Sequence, residues 1–360
     1  MRCRHTTQLL VLALLTGAFV WLFITLSWPP ETAGDQQPAA KVKGDRPPRP
    51  EGHRRAEGAV IADAANAPGD TPPRPGLVWH AELTYGRVGK QRLLLDIACP
   101  ARGAGPFPAV VLLHGIGPLT KERRGLTPLA KELARKGYVS VVVGFRYQPA
   151  QHPFPTAIED IKCAVRWLRA HARAYRVDPD RVGALGFSGG GGLACLLGLC
   201  TPADGLEGNG GHANQPSAVR AVVAYCPPTD LSGLHAECCG PKGKVGFWVR
   251  GWMRVNLEKW LGGTPQEAAA RYAKASPVRY ARQGAAPLLL IHGARDTVVP
   301  LDQSQRLAKR LTAAGGKVTL LTLADADHDL DTRNDGNARL AAGVTLAFLD
   351  EHLKGANAKR

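Results

Sequence analysis

From Phe107 onward, wholly apolar runs alternate with amphipathic stretches, and no other feature limits the possible folds of this chain as sharply. FPAVVLLHG precedes GLTPLAKELARKG, YVSVVVGFRY precedes TAIEDIKCAVRWLRAHARAY, and RVGALGFS precedes GGGGLACLLGL. The pattern continues through AVRAVVAYCPP, then APLLLIHG with DQSQRLAKRLTAAG, KVTLLTLADADH, and the closing stretch NARLAAGVTLAFLDEHL. A strand without polar alternation must be covered on both faces, and a helix after each strand supplies that cover in a parallel sheet. The expected fold is therefore an α/β domain with a doubly wound, mostly parallel sheet. With 44% hydrophobic residues in 360, the chain can bury the core such a unit needs.

The first 76 residues follow a different logic. Arg2, Arg4 and His5 precede an uncharged apolar run from Leu9 to Trp28. About 20 residues at ~1.5 Å each reach about 30 Å, enough to cross a bilayer core. Residues 1–28 thus read as an uncleaved signal anchor, with a long secretory signal peptide as the alternative. Either reading places the rest outside the cytoplasm, periplasmic or at the cell surface, anchored by the N-terminus or secreted. Residues 29–76 are rich in Pro, Ala and mixed charge without apolar periodicity and read as a disordered linker. A flexible tether of that length spans on the order of 40 Å. The domain proper is expected over 77–354, followed by a tail at 355–360. Cysteines in an exported chain can oxidise, but their pairing does not follow from sequence.

A formal charge of +16 favours adhesion to anionic surfaces, yet no nucleic-acid module accompanies it, so no nucleic-acid partner is expected. No CxxC pair or HExxH helix is present, and no metal is expected. Between Cys226 and Pro287 the strand–helix alternation lapses. Trp248, Trp252 and Val255 recur there at helical spacing. The stretch reads either as a helix packed on the core or as a small cap, within 227–280, over a substrate cleft.

Chemistry concentrates at RVGALGFSGGGGLA. Ser188 falls between an apolar strand and a helix in a G-x-S-x-G match, where a strained bend exposes the hydroxyl above the sheet. Gly186 and Gly190 let strand and helix approach, and the Gly189 amide can face a developing oxyanion, aided by the helix dipole. A dinucleotide fingerprint fits the stretch poorly. The early strand end HGIG supplies a second backbone donor from Ile116 or Gly117, provided Ile116 keeps negative φ. His114 reads as a residue that fixes this loop. Asp296 follows a late strand and His328 the next one, so serine, acid and histidine appear in the order of an acyl-transfer triad. Asp230 and Asp327 are rivals for the acid.

Assembled, HGIG, the stretch from FRYQPAQHPFP to FSGGGGLA, ASPVRYARQGAAPLLLIHGARDTVVP and DADHDL resemble the α/β-hydrolase superfamily and its BD-FAE-like or acetylxylan esterase-like serine carboxylesterases. The resemblance implies an eight-stranded sheet and ester hydrolysis without a cofactor. It assigns nucleophile, acid and base to Ser188, Asp296 and His328, and oxyanion donors to Ile116 or Gly117 and to Gly189. Many relatives have a third glycine where this chain has Ile116. The expected activity is hydrolysis of a small ester or of a short-chain acyl group on a polysaccharide, through an acyl-enzyme. Two alternatives are a prolyl oligopeptidase-like peptidase and a surface-binding homologue without catalysis.

Overall fold

The strands are β1 (Leu77–Val88), β2 (Gln91–Pro100), β3 (Phe107–Leu113), β4 (Val139–Val143), β5 (Val177–Phe187), β6 (Val222–Tyr225), β7 (Leu288–Gly293) and β8 (Val318–Leu323). They form one eight-stranded sheet in the order β1-β2-β4-β3-β5-β6-β7-β8. From β4 to β8 every neighbouring pair is parallel, as uniformly apolar strands require. β1 and β2 pair antiparallel with each other, and β2 pairs antiparallel with β4. This edge hairpin lies upstream of the alternating stretches from which the parallel sheet was read. The computed structural model describes residues 76–117, 123–240, 243–330 and 335–355. The signal anchor, nearly all of the linker and most of the tail lie outside the described residues. Among the described residues no helix is long and apolar enough to cross a membrane.

The helices are α1 (Thr127–Arg135), α2 (Thr156–Ala170), α3 (Gly189–Leu199), α4 (Leu231–Cys239), α5 (Phe247–Leu261), α6 (Ala269–Ala275), α7 (Asp302–Ala313) and α8 (Asp335–Leu349). One apolar layer packs α2 and α3 on one face of the sheet, and a second packs α1 and α8 on the other. α3 is buried at every position from Gly190 to Leu199. That burial all round suits a central helix and explains its lack of a polar face.

Helices α4 to α6 occupy the stretch where the alternation lapses. α5 buries Met253, Leu257 and Leu261. The apolar stripe read from sequence matches the inward face only in part: Trp252 packs against the core, Val255 is 36% exposed, and the side chain of Trp248 lies outside the described residues. The two sequence readings of this stretch merge, because α5 both packs on the core and faces the cleft with Trp252, Met253 and Trp260.

Candidate active site

Ser188 closes β5 and opens α3. Its backbone sits at φ 53°, ψ −125°, a conformation that costs a non-glycine residue about 1–3 kcal/mol. The turn is held there by contacts that leave no room for side chains. A Cβ on Gly186 would lie 2.2 Å from the Gly190 carbonyl oxygen, and one on Gly190 would lie 2.2 Å from the His114 carbonyl oxygen. The Ser188 amide donates to the Tyr225 carbonyl at 2.8 Å, tying the turn to β6. The side chain of Ser188 makes no capping hydrogen bond to α3, although serine is a preferred residue at a helix start. Its hydroxyl is directed to His328 instead.

His328 and Asp296 reach the serine from the carboxyl ends of β8 and β7. His328 Nε2 lies 3.0 Å from Ser188 Oγ, and His328 Nδ1 lies 2.8 Å from Asp296 Oδ2. The other Asp296 oxygen accepts the amides of Val298 and Val299, both at 2.8 Å. Burial by itself would raise the Asp296 carboxyl, but the charge of His328 and hydrogen bonds from His292 and His328 outweigh it and hold the group well below its ordinary range. On His328 burial works downward, and the Asp296 carboxylate overcomes it, raising the imidazole above its usual value of 6.5. A carboxylate held ionised beside a histidine whose other nitrogen faces a hydroxyl can move one proton from oxygen to nitrogen and back.

The rival acids are engaged elsewhere. Asp230 caps α4 by accepting the Gly233 amide at 3.0 Å and pairs with Arg306 at 2.7 Å. Asp327 Oδ1 accepts the amides of Thr297 and His328, at 2.9 and 2.7 Å, and so shapes the histidine loop from below. His114 is buried and stacks on Phe145 with ring centroids 4.3 Å apart. It fixes the strand-end loop as its sequence position suggests.

Ile116 and Gly189 both line the cleft beside Ser188. Their approach is close: a Cβ on Gly189 would meet Ile116 Cβ at 2.8 Å. Ile116 stays out of the left-handed backbone region, so its β-branch is unstrained. Gly117 follows it at the edge of the described segment.

One residue of the site escaped the sequence reading. His292, at the end of β7, is fully buried, and both ring nitrogens are engaged. Nε2 lies 2.8 Å from the Val299 carbonyl and 3.2 Å from Asp296 Oδ2; both are acceptors, so Nε2 carries the hydrogen. Nδ1 lies 2.7 Å from Ser304 Oγ on α7. The available signal was an imidazole in an otherwise apolar strand four residues before the acid. Cys226, His292 and Asp296 also bring ligand-type atoms within 4.8 Å of one another. The carboxylate and imidazole atoms there are already hydrogen-bonded, and burial pushes the Cys226 thiol well up, which suits a closed polar floor better than a metal's ligand set.

An eight-stranded, mostly parallel sheet that brings a serine, a histidine and an acid together at its carboxyl edge defines an α/β-hydrolase. The BD-FAE family model matches residues 95–311, and the chain belongs to that family. Among its relatives is the Probable carboxylic ester hydrolase LipM of Mycobacterium tuberculosis, 28% identical over 280 residues, covering 75% of this chain and 60% of LipM. The chain thus spans less than two thirds of that relative's length. A truncated carbohydrate esterase from gut microbiota superposes with a TM-score of 0.64 at 21% identity, covering 80% of this chain and 99% of that one. The butyrate-bound esterase Est2 of Thermogutta terrifontis gives 0.63 at 25% identity, covering 79% and 96%. Fold and family assign the chain to the α/β-hydrolases, and LipM and Est2 are named as ester-cleaving enzymes.

Proposed function

We propose that the chain hydrolyses carboxylic esters through an acyl-enzyme on Ser188. Ser188 Oγ attacks the ester carbonyl carbon while His328 Nε2 takes its proton, and Asp296 accepts the Nδ1 hydrogen and stabilises the imidazolium. The amide of Gly189, at the start of α3, and that of Ile116 or Gly117 donate to the tetrahedral oxygen. Collapse of this intermediate passes the proton from His328 to the leaving alkoxide. A water then repeats the sequence on the acyl-enzyme and releases the acid. The 3.0 Å contact between His328 Nε2 and Ser188 Oγ, with Asp296 behind it, carries this reading.

Ser188 is half-buried between an apolar pocket and solvent, so the acyl half of an ester enters the protein while the alcohol half extends outward. A sugar-linked ester suits that alcohol side, in keeping with the carbohydrate esterase among the structural neighbours. The peptidase and non-catalytic alternatives find no support among these relatives. An extracytoplasmic site of action, membrane-anchored or secreted, rests on the apolar run Leu9–Trp28. An unprocessed N-terminus in the membrane fraction would support the anchor, and loss of the first residues in the soluble fraction would support secretion.

The test is hydrolysis of p-nitrophenyl butyrate by the full chain beside Ser188→Ala. Loss of at least about 10⁴-fold in kcat is expected from the variant. Equal turnover by the two proteins rejects the nucleophile.

A further inference from the structure

Behind Ser188 the cleft continues along α3 and beneath the cap, and its chemistry is uniform. Gly192, Leu193 and Leu196 of α3 form one wall, with Leu234 of α4 and Met253 and Leu257 of α5 facing them. Of the α3 residues that line it, Leu196 lies farthest along the helix from Ser188, and Leu196, Leu234 and Ala275 are almost wholly buried. No charged side chain lines it among the described residues. The one carboxamide there, Asn256, gives one of its two Nδ2 hydrogens to the Trp252 carbonyl at 2.8 Å, within its own helix. A hydroxylated or charged acyl group entering this space would leave water for few partners, a costly transfer. An aliphatic chain loses nothing by it.

The depth of the pocket follows from the helix that lines it. From Gly189, beside the nucleophile, to Leu196 is seven residue steps, or about 10 Å along α3. An extended alkyl chain with bonds of ~1.5 Å advances about 1.3 Å per carbon, so about eight carbons reach the end. Near the serine the lining is Gly189 and Gly192, against which Ile116 and Pro228 pack closely.

On these grounds we propose that the acyl half of the substrate is an unbranched aliphatic chain of about six to eight carbons, seated along α3 beneath the cap. The proposal rests on the Ser188 hydrolase reading and lengthens the short acyl group suggested by sequence. Leu196 and Leu234 set the limit on chain length.

The full chain is tested on p-nitrophenyl esters from acetate to laurate. The expected kcat/KM rises about fourfold per methylene, as burial of a CH₂ predicts, to a maximum at hexanoate or octanoate, and falls at laurate. Leu196→Trp fills the deep end and lowers the octanoate-to-acetate ratio of kcat/KM by about 30-fold or more. Leu234→Phe, a milder filling, moves the ratio the same way and serves if the tryptophan prevents folding. A Ser188-dependent activity that is greatest on acetate and declines with each methylene overturns the proposal and leaves the hydrolase reading intact. The same holds if folded variants leave the ratio unchanged. Absence of any Ser188-dependent turnover across the series overturns both.

Discussion

Around Ser188 the backbone itself sets the geometry, whereas across the cleft α5 is held mainly by its side chains. Below, Gly186 and Gly190 let β5, α3 and the His114 loop approach so closely that an added Cβ would collide with backbone carbonyls, and strand ends deliver Asp296 and His328. Above, Met253, Leu257 and Leu261 pack on the core, Trp260 meets Phe154 edge-on at 5.5 Å, and Glu258 reaches His235 at 2.9 Å. A floor built from main chain tolerates almost no substitution. A roof built from apolar side chains can be repacked at modest cost, because cores accept volume-conserving changes. Reaction and selectivity are thereby housed in parts of the molecule that can vary separately.

The largest expected effect lies in the floor. Asp296→Asn should reduce kcat by about 10⁴-fold, since the amide no longer enforces the correct imidazole tautomer. A loss under tenfold would remove Asp296 from the reacting set and break the contrast at its base. Gly190→Ala should destabilise the fold by on the order of 3 kcal/mol, because its new methyl meets the His114 carbonyl; a urea titration with unchanged slope measures this.

His292→Phe should lower kcat by about 10- to 100-fold with KM nearly unchanged, as Asp296 loses one of the groups that aim it. An equal effect on KM would make His292 a merely structural support. A pH profile sharpens the comparison further. The neutral form of His328 is the base, and Asp296 holds its pKa above 6.5, so kcat/KM should climb with pH through a midpoint above that value. Residual activity in Asp296→Asn should show the midpoint moved downward. The smallest effect belongs to the roof's outer face: Val255→Ser should change stability by no more than about 0.5 kcal/mol and leave kcat/KM unaltered.

The parallel sheet and the ends of β3, β5, β7 and β8 were legible because strands buried on both faces have no polar alternation to confuse them. The serine turn was legible for a related reason: its glycines answer to backbone collisions, which allow no other residue. The edge hairpin was not read, since β1 mixes charged, aromatic and small residues across two register shifts. The inward face of α5 was legible only at Trp252, because aromatic and aliphatic residues occur on several sides of that helix, so periodicity favoured Val255 over Met253 and Leu257. His292 stayed hidden inside an apolar strand, where an imidazole shows its purpose only once Asp296 and Ser304 stand beside it.

The bend at Ser188 also sets fold and chemistry against each other. At φ 53° a glycine would relieve the local distortion that the serine sustains, so selection for thermal robustness alone would discard the hydroxyl. On the proposed hydrolase reading, a side chain held at this strained bend is durability given up for turnover.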